Sequence, residues 1–283
     1  MSQHPVAPEH TAVRVSLWRA LHVFLDAKPS IFDDQIGMKL VGDENWRQRP
    51  DMDPQGSRKV RASIAARARF IEELVEEQNK LGVDQYVILG AGLDTFAQRR
   101  QDLVPRLKIF EVDQPGPQAW KRQRLHELGF ETPIQLHFVT VDFEAGQSWW
   151  QQLVSAGFDP NKPAVVVSTG VSMYLTKEAN TETLRQMANL APGSTFAMTF
   201  LLSLNLLNDE DRILQETTMK YAAMSGTPFV SLFAPGDLLN LANDVGFKTA
   251  QYFSPDDMIQ RYFVNRKDGL LPPKAECFLI VKT

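Results

Sequence analysis

The sequence predicts an α/β protein built on an open, doubly wound sheet of seven mostly parallel strands. From about residue 84 onward, short β-branched runs alternate with amphipathic stretches, which is typical of strand–helix–strand units around a parallel sheet. The runs at 86–89 and 164–167 are continuously apolar, as expected of strands buried on both faces. The predicted strands cover residues 85–90, 107–113, 134–142, 164–169, 195–202, 248–253 and 276–282.

Helices are predicted between these strands, which gives a βαβα succession. The last of them begins at Pro235 and ends before Gly246, in agreement with the usual start and stop signals of helices. The predicted helices lie near residues 96–103, 117–128, 147–156, 178–190 and 236–245.

Two segments lie outside the alternation. Residues 11–82 carry helical apolar stripes, and residues 203–235 form an insertion whose apolar content is too high for a solvated loop. Each is either an ordinary packing layer or part of a cap over the carboxyl ends of the strands, where open α/β sheets bind ligands. We therefore expect a single domain over residues 1–283: a helical extension, 11–82, a core of 84–202 and 236–283, and a cap insertion, 203–235.

The composition indicates a globular protein that acts on small molecules. A chain of 283 residues with 43% hydrophobic residues excludes collagen-like and disordered classes, and one cysteine excludes a disulfide scaffold. A net charge of -4 provides no basic surface for nucleic acid or an anionic membrane. The start of the chain lacks the segments of a signal peptide, and the longest apolar stretch is shorter than the roughly 20 residues of a membrane span. We expect a cytoplasmic protein.

A glycine-rich turn follows the first predicted strand. Gly90, Ala91 and Gly92 let a ligand approach the backbone where strand gives way to helix. A dinucleotide fingerprint would have a third glycine, where this chain has Thr95, and a pyrophosphate would be repelled by Asp94. The carboxylate suits a ligand with a cationic portion. The alternative is a purely structural turn in which Asp94 caps the next helix.

Carboxylates also end the second and third predicted strands. Asp113, followed by Gln114, lies about 20 residues beyond the glycine turn, where an acid binds the two hydroxyls of a ribose. Asp142 could accept a hydrogen bond from an adenine amino group, with Phe143 packed near the ring. Taken singly, each of these acids is more often a solvated strand end. Together they indicate a nucleoside of the adenosine type.

Cations cluster in the first half of a predicted helix near residues 58–80, whereas acids follow in its second half. This order is the reverse of what the helix dipole favours. Solvation, a pair such as Arg69 with Glu73, or a break in the helix could compensate. Alternatively, Arg67 turns inward and binds a ligand carboxylate through its two-pronged guanidinium. A ligand with an adenosine, a cationic centre and a carboxylate is S-adenosylmethionine.

The sequence resembles the leucine carboxyl methyltransferase family, whose many bacterial members are described as O-methyltransferases. The resemblance extends from about residue 12 to the end of the chain and implies the class I methyltransferase-like Rossmann fold, with S-adenosylmethionine as cofactor. It is carried by residues 30–34, 65–70, 89–95, 110–115, 141–142 and 173–175.

The resemblance also implies roles for individual residues. Arg67 would hold the methionine carboxylate and Gly90 would approach the methionine moiety. Asp113 would bind the ribose, and Asp142 with Phe143 would bind the adenine.

Other positions match the family less directly. Arg19 is the match to an upstream basic residue that contacts the cofactor in this family. At the end of the fourth strand the family commonly has an acid before a glycine, whereas this chain has Thr169 before Gly170. Thr169 would then make the cofactor contact without a charge. Tyr174 is a candidate for orienting the substrate, or else a core residue.

Taken together, the residues predict an S-adenosylmethionine-dependent O-methyltransferase that methylates a carboxylate or hydroxyl of a small or medium apolar metabolite, with no metal. No histidine lies near the fourth strand end or the insertion, which mildly favours a carboxylate, since it is already ionised and needs no base. One alternative is an NAD(P)-dependent oxidoreductase, disfavoured by Asp94 and Thr95. Another is a non-catalytic cofactor-binding protein, which only Thr169 supports.

Overall fold

The computed structural model describes residues 10–42, 45–142 and 145–283. The chain forms two compact units. The first comprises Met1–Asp159 and Arg266–Leu270, and the second comprises Pro160–Asn265 and Leu271–Thr283. None of the helices in the described part of the chain is long and apolar enough to cross a membrane.

The first unit opens with the predicted helical extension and continues into the first half of the α/β alternation. Short 3-10 helices lie at Trp46–Gln48, Pro50–Met52 and Val104–Arg106. The helices and strands are α1 (His10–Leu25), α2 (Ile36–Val41), α3 (Arg58–Lys80), β1 (Gln85–Leu89), α4 (Phe96–Arg99), β2 (Lys108–Asp113), α5 (Pro115–Glu127), β3 (Leu136–Thr140) and α6 (Trp149–Ser155).

The strands of this unit are parallel and lie in the order β3-β2-β1. Leu89 pairs with Val112, and Asp113 pairs with Thr140, so the carboxyl ends of the three strands are level. Loops that follow level parallel strands emerge at the same sheet edge. The register therefore places the glycine turn after β1 beside the acid that ends β2.

A buried ion-pair network joins α1 to α3. The Nδ1 of His22 lies 2.9 Å from Oδ2 of Asp26, whose Oδ1 is 2.8 Å from the guanidinium of Arg61. The backbone N–H of Ile31 donates to the other ring nitrogen of His22, Nε2, at 2.9 Å. Burial opposes ionisation of Asp26, but its bonds to His22 and Arg61 lower its pKa. The network thereby fixes α1 against α3.

The second unit contains the remaining strands, which lie in the order β4-β5-β7-β6. β4 and β5 are parallel, whereas β7 is antiparallel to both β5 and β6. The predicted seven-stranded, mostly parallel sheet is thus confirmed, with strand bounds within two residues of those predicted. The elements are β4 (Ala164–Ser168), α7 (Lys177–Ala188), β5 (Thr195–Leu201), α8 (Asp209–Met224), α9 (Pro235–Asp244), β6 (Thr249–Phe253), α10 (Pro255–Tyr262) and β7 (Glu276–Lys282), with 3-10 helices at Ser172–Tyr174 and Leu204–Leu206.

Two helices differ from the sequence prediction. α4 ends at Arg99, four residues before the predicted end at 103, and a 3-10 helix follows at Val104–Arg106. α10 was not predicted, although Ser254 caps it through a capping box with Asp257 and a proline occupies its first position.

The insertion after β5 packs within the second unit. It contains α8 and an extended stretch that bonds to the loop after β4. The N–H of Val230 donates to the carbonyl of Met173 at 2.8 Å, and the hydroxyl of Ser231 donates to the carbonyl of Leu175 at 2.6 Å. These bonds connect the extended stretch of the insertion to the segment that contains Tyr174.

A fully buried ion pair links β2 to α5. The ammonium of Lys121 lies 2.5 Å from Oε2 of Glu111, and both side chains are 1% exposed. The second oxygen, Oε1, has no hydrogen-bond partner among the described residues. Burial raises the pKa of Glu111 to about 7, Lys121 opposes that rise, and the negative charges of Asp94 and Asp113 add to it. Four charged groups thus interact near the end of β2.

This pair generates a stability prediction. At pH 8, where Glu111 is ionised, Glu111→Gln leaves the buried ammonium of Lys121 without a counterion and should lower the free energy of unfolding by about 3–5 kcal/mol. The double variant Glu111→Gln/Lys121→Met removes both charges and should recover most of that loss. Urea unfolding of the two variants and the wild type measures both effects. If Glu111→Gln alone is as stable as the wild type, the buried ammonium of Lys121 does not need Glu111 as its counterion.

Candidate functional site

The glycine turn after β1 is formed as predicted. Gly90 and Gly92 have φ values of 70° and 51°, in the left-handed region that a glycine adopts without strain. The N–H groups of Gly90 and Ala91 both donate to the carbonyl of Val112, at 2.9 and 3.2 Å. The turn is therefore attached to the neighbouring strand at the residue before Asp113.

Asp113 is fixed against this turn by backbone hydrogen bonds. Its Oδ2 accepts from the N–H of Gly92, and its Oδ1 accepts from the N–H of Gln114 at 2.7 Å. Gln114 itself is an exposed residue with extended backbone that precedes α5. A carboxylate anchored in this way keeps further lone pairs for external donors.

Asp94 caps the helix that follows the turn. Its N–H donates to the carbonyl of Ala91 at 2.9 Å, and its Oδ1 accepts from the N–H of Phe96 at 2.7 Å. The capping role considered for this residue is therefore present. Its charge also acts at a distance, because it adds to the effect of burial in raising the pKa of Glu72 and of Glu111.

The predicted adenine-binding residues lie just after β3. Asp142 is half-buried, and its Oδ1 accepts from the N–H of Ala145 at 2.9 Å. Its own N–H donates to the side chain of Gln147 at 3.0 Å. Phe143 lies outside the described residues.

α3 shows how the inverted charges are accommodated. The helix is continuous from Arg58 to Lys80, and Arg69 pairs with Glu73 at 2.6 Å. Arg61 is the cation whose side chain is fully buried, in the pair with Asp26. Arg67, whose side chain we predicted to point inward, is half-buried. A break in the helix is thus excluded, and a pair of the kind considered is formed.

The acids in the second half of α3 pair with arginines of and after α4. Glu72 binds the guanidinium of Arg99 and lies 3.5 Å from that of Arg100. Arg100 also lies 3.0 Å from Glu76. The late acids of the helix therefore belong to ion pairs with the segment that follows the glycine turn.

A cluster that sequence reasoning missed surrounds Asp34, which is completely buried. The Nε of Arg19 donates to Oδ2 of Asp34 at 2.8 Å, and the Nε of Arg99 lies 3.7 Å from Oδ1. Burial opposes ionisation, but the charges of the two arginines outweigh it and lower the pKa of Asp34. The guanidinium of Arg99 also stacks on Phe32 at 4.3 Å from the ring centre. The only signal in the sequence was the motif at 30–34, to which no role was given.

Arg19 was predicted to contact the cofactor. Its guanidinium bonds to Asp34 in this cluster. Besides Asp34, it donates from Nη2 to the carbonyl of Leu93 at 2.5 Å. It is 8% exposed. The structure thus brings Arg19 to the glycine turn, through the backbone of Leu93.

Thr169 and Tyr174 lie in the second unit, after β4. Thr169 is half-buried, and the N–H of the next residue, Gly170, donates to the hydroxyl of Thr199 at 2.8 Å. Tyr174 is half-buried and meets Phe229 of the insertion edge to face, with ring centres 5.3 Å apart. The tyrosine therefore packs against the insertion rather than within the sheet.

The chemistry of the turn fits S-adenosylmethionine better than a dinucleotide. Asp94 suits a cation and repels a pyrophosphate, whereas Asp113 suits the hydroxyl donors of a ribose. Two glycines with positive φ leave the backbone open to close approach. Among the described residues, no group of three or more acidic, histidine or cysteine side chains is arranged to hold a metal ion.

Comparison with known proteins agrees with this chemistry. Residues 12–188 match the model of the family described as leucine carboxyl methyltransferase. The chain is 32% identical over 279 residues to YktD of Bacillus subtilis (strain 168), provisionally named an S-adenosyl-L-methionine-dependent methyltransferase. The match covers 89% of this chain and 90% of YktD.

Solved structures share the fold. A DUF574 family protein from Streptomyces avermitilis MA-4680 superposes with a TM-score of 0.58 at 14% identity, covering 98% of each chain. A protein from Thermobifida fusca YX, provisionally described as a methyltransferase, gives a TM-score of 0.60 at 18% identity, covering 98% of this chain and 95% of that one. The family match and the extent of the similarity to YktD show that this protein belongs to the leucine carboxyl methyltransferase family and is an S-adenosylmethionine-dependent methyltransferase.

Proposed function

We propose that the protein is an O-methyltransferase that methylates a carboxylate, or else a hydroxyl, of a small or medium apolar metabolite. The observation that carries this proposal is the placement of the histidines in the first unit. His22 is buried, and its two ring nitrogens bond to Asp26 and to the backbone N–H of Ile31. His126 is exposed in the last turn of α5, and His137 stacks on Phe110 near the start of β3. An acceptor that is already ionised needs none of them as a base.

The acids at and after the strand ends of this unit are engaged by the backbone. Asp94, Asp113 and Asp142 each accept a backbone N–H bond, which uses part of their accepting capacity. A phenol or alcohol would have to lose a proton during transfer, whereas a carboxylic acid is ionised at neutral pH. The carboxylate is therefore the favoured acceptor.

The cofactor, when bound, supplies a methyl group on a sulfonium that is already activated for displacement. We propose that Asp113 binds the ribose hydroxyls, while Gly90, Ala91 and Gly92 offer a close backbone surface. Asp94 places a negative charge near the cationic part of the cofactor. Further proposed contacts are those of Gln114 beside the ribose, Asp142 and Phe143 at the adenine, Arg67 at the carboxylate, and Thr169.

The protein's main contribution to the reaction is then alignment of the two substrates and exclusion of water. Proximity and orientation can account for about 7–11 kcal/mol of such a barrier. In the second unit, Tyr174 and Phe229 form an aromatic surface whose backbone is tied down through Met173 and Leu175. We propose that this surface orients an apolar acceptor, with residues 203–235 as a cap. Family membership favours methyl transfer over NAD(P)-dependent oxidoreduction.

The proposed ligand contacts are tested by isothermal titration calorimetry. Wild-type protein should bind S-adenosylmethionine and S-adenosylhomocysteine, but not NADH. Asp113→Ala removes a charged hydrogen-bond acceptor, a loss of about 1.5–3 kcal/mol, so the Kd should rise roughly 10- to 100-fold. Arg67→Ala should weaken binding to a similar extent by exposing the ligand carboxylate.

Each of these variants has a matched control. Asp84→Ala removes an exposed aspartate just before β1, at the opposite end of the strand from the glycine turn. Arg69→Ala removes the exposed arginine two positions along the helix. Controls that lose as much affinity as Asp113→Ala and Arg67→Ala would contradict the assigned contacts.

The glycine turn itself can be tested by adding a methyl group. Gly92→Ala forces an L-residue into φ 51° and brings its Cβ within 3.4 Å of the Cβ of Ala12, so it should cost about 1–2 kcal/mol of stability and weaken cofactor binding. Gly82→Ala imposes comparable strain at φ 95°, but with no atom within 4 Å of the new Cβ. It should lose stability in thermal unfolding without losing affinity. Equal affinities of the two variants would argue against the turn as a ligand site.

The acceptor group is tested by the chemistry of the product. With methyl-labelled cofactor and a panel of apolar carboxylic acids and phenols, label should enter the acids. Alkali should then release it as volatile methanol, because a methyl ester hydrolyses and a methyl ether does not. The acceptor should add no pH dependence between pH 6 and 9, since a carboxylate stays ionised throughout, so a change in rate near pH 7 belongs to Glu111. Label on nitrogen would contradict O-methylation.

A further inference from the structure

Four charged side chains are linked to the glycine turn by hydrogen bonds. They are here called the Asp34 cluster: Asp34, Arg19, Arg99 and Glu72. Asp34 is at its centre and is completely buried. Its Oδ2 accepts from Arg19 at 2.8 Å, and its Oδ1 accepts from the backbone N–H of Gly37 at 3.0 Å. Arg99 lies 3.7 Å from Oδ1 and also binds Glu72. Two cations and two acids are thus linked, and Glu72 connects them to Arg100 at 3.5 Å.

Both arginines of the cluster also bond to the turn. Arg19 donates from Nη2 to the carbonyl of Leu93 at 2.5 Å. Arg99 donates from Nε to the hydroxyl of Thr95 at 2.8 Å. Leu93 and Thr95 are the residues immediately before and after Asp94. The charge of Asp34 is therefore connected to the turn at two points, the backbone carbonyl of Leu93 and the side-chain hydroxyl of Thr95.

The burial of the cluster argues for a positioning role. Removing charges from water is costly, and a buried ion pair is often no more stabilising than apolar side chains of the same size. What such a group supplies is a defined geometry, because each planar guanidinium has fixed donor directions. Here each guanidinium contacts an acid and the glycine turn at the same time.

We propose that the Asp34 cluster is a positioning device that sets the conformation of residues 93–95 and thereby the affinity for S-adenosylmethionine. Arg19 then contributes through the carbonyl of Leu93 and not by touching the cofactor. This inference rests on the proposed role of the glycine turn in cofactor binding. It also gives the acid of the motif at 30–34 a function.

The neighbouring acid provides a matched control. Asp33 is exposed and bonds to the side chain of Gln35 at 3.2 Å. Asp34→Asn keeps the size of the side chain but leaves two buried guanidiniums facing a neutral amide. Asp33→Asn makes the same chemical change outside the cluster. A difference between the two variants is therefore due to the cluster.

The experiment measures S-adenosylhomocysteine affinity by calorimetry and amide hydrogen exchange of the full chain by mass spectrometry. For Asp34→Asn, the Kd should rise at least tenfold and the peptide covering residues 89–96 should exchange faster, while a peptide from α7 exchanges at the wild-type rate. Asp33→Asn should match the wild type in both measurements. Wild-type affinity and exchange in a folded Asp34→Asn protein would overturn the inference.

Arg19→Lys provides a second test that can be made if Asp34→Asn does not fold. It retains the positive charge beside Asp34, but one ammonium lacks the fork that reaches both Asp34 and Leu93. The Kd should rise by about three- to tenfold with the thermal midpoint nearly unchanged. An unchanged Kd would overturn the inference alone, whereas failure of the wild type to bind S-adenosylhomocysteine would overturn the proposed function with it.

Discussion

The bond between the carboxylate of Asp113 and the N–H of Gly92 is the contact on which the rest of the site depends. It joins the end of β2 to the turn after β1, and it can form only because parallel pairing makes the two strand ends level. The glycines then adopt a backbone that other residues would enter only with strain. The sheet thus presents an anchored acid and an open backbone at one edge, which is what a nucleoside with a cationic side arm requires.

Charge around this contact is arranged in buried pairs. Glu111 is neutralised by Lys121, and Asp34 by Arg19 and Arg99. Such pairs add little net stability, yet they leave few alternative arrangements for the backbone they hold. The acids that face the turn can therefore attract a cation without repelling one another out of position. If the turn binds the cofactor as we propose, affinity for the cofactor and rigidity of the turn have a common physical origin.

The strands and the glycine turn were predictable because their signals are local: apolar runs, glycines and acids a few residues apart. The partners of buried charges were not. Arg61, rather than Arg67, is the fully buried arginine of α3, and its partner Asp26 lies 35 residues away, just after the end of α1. Asp34 likewise meets Arg99 only after folding. Periodicity predicts that a helix has a buried face, but not which cation on that face finds an acid.

The most direct test of the account is a crystal structure with S-adenosylhomocysteine bound. We expect both ribose hydroxyls within hydrogen-bond distance of the Asp113 carboxylate, with Gly90 and Gly92 in van der Waals contact with the ligand. Arg19 should remain on Asp34 and the carbonyl of Leu93. A ligand bound elsewhere, or a ribose that does not contact Asp113, would contradict the claim that the end of β2 and the glycine turn form the cofactor site.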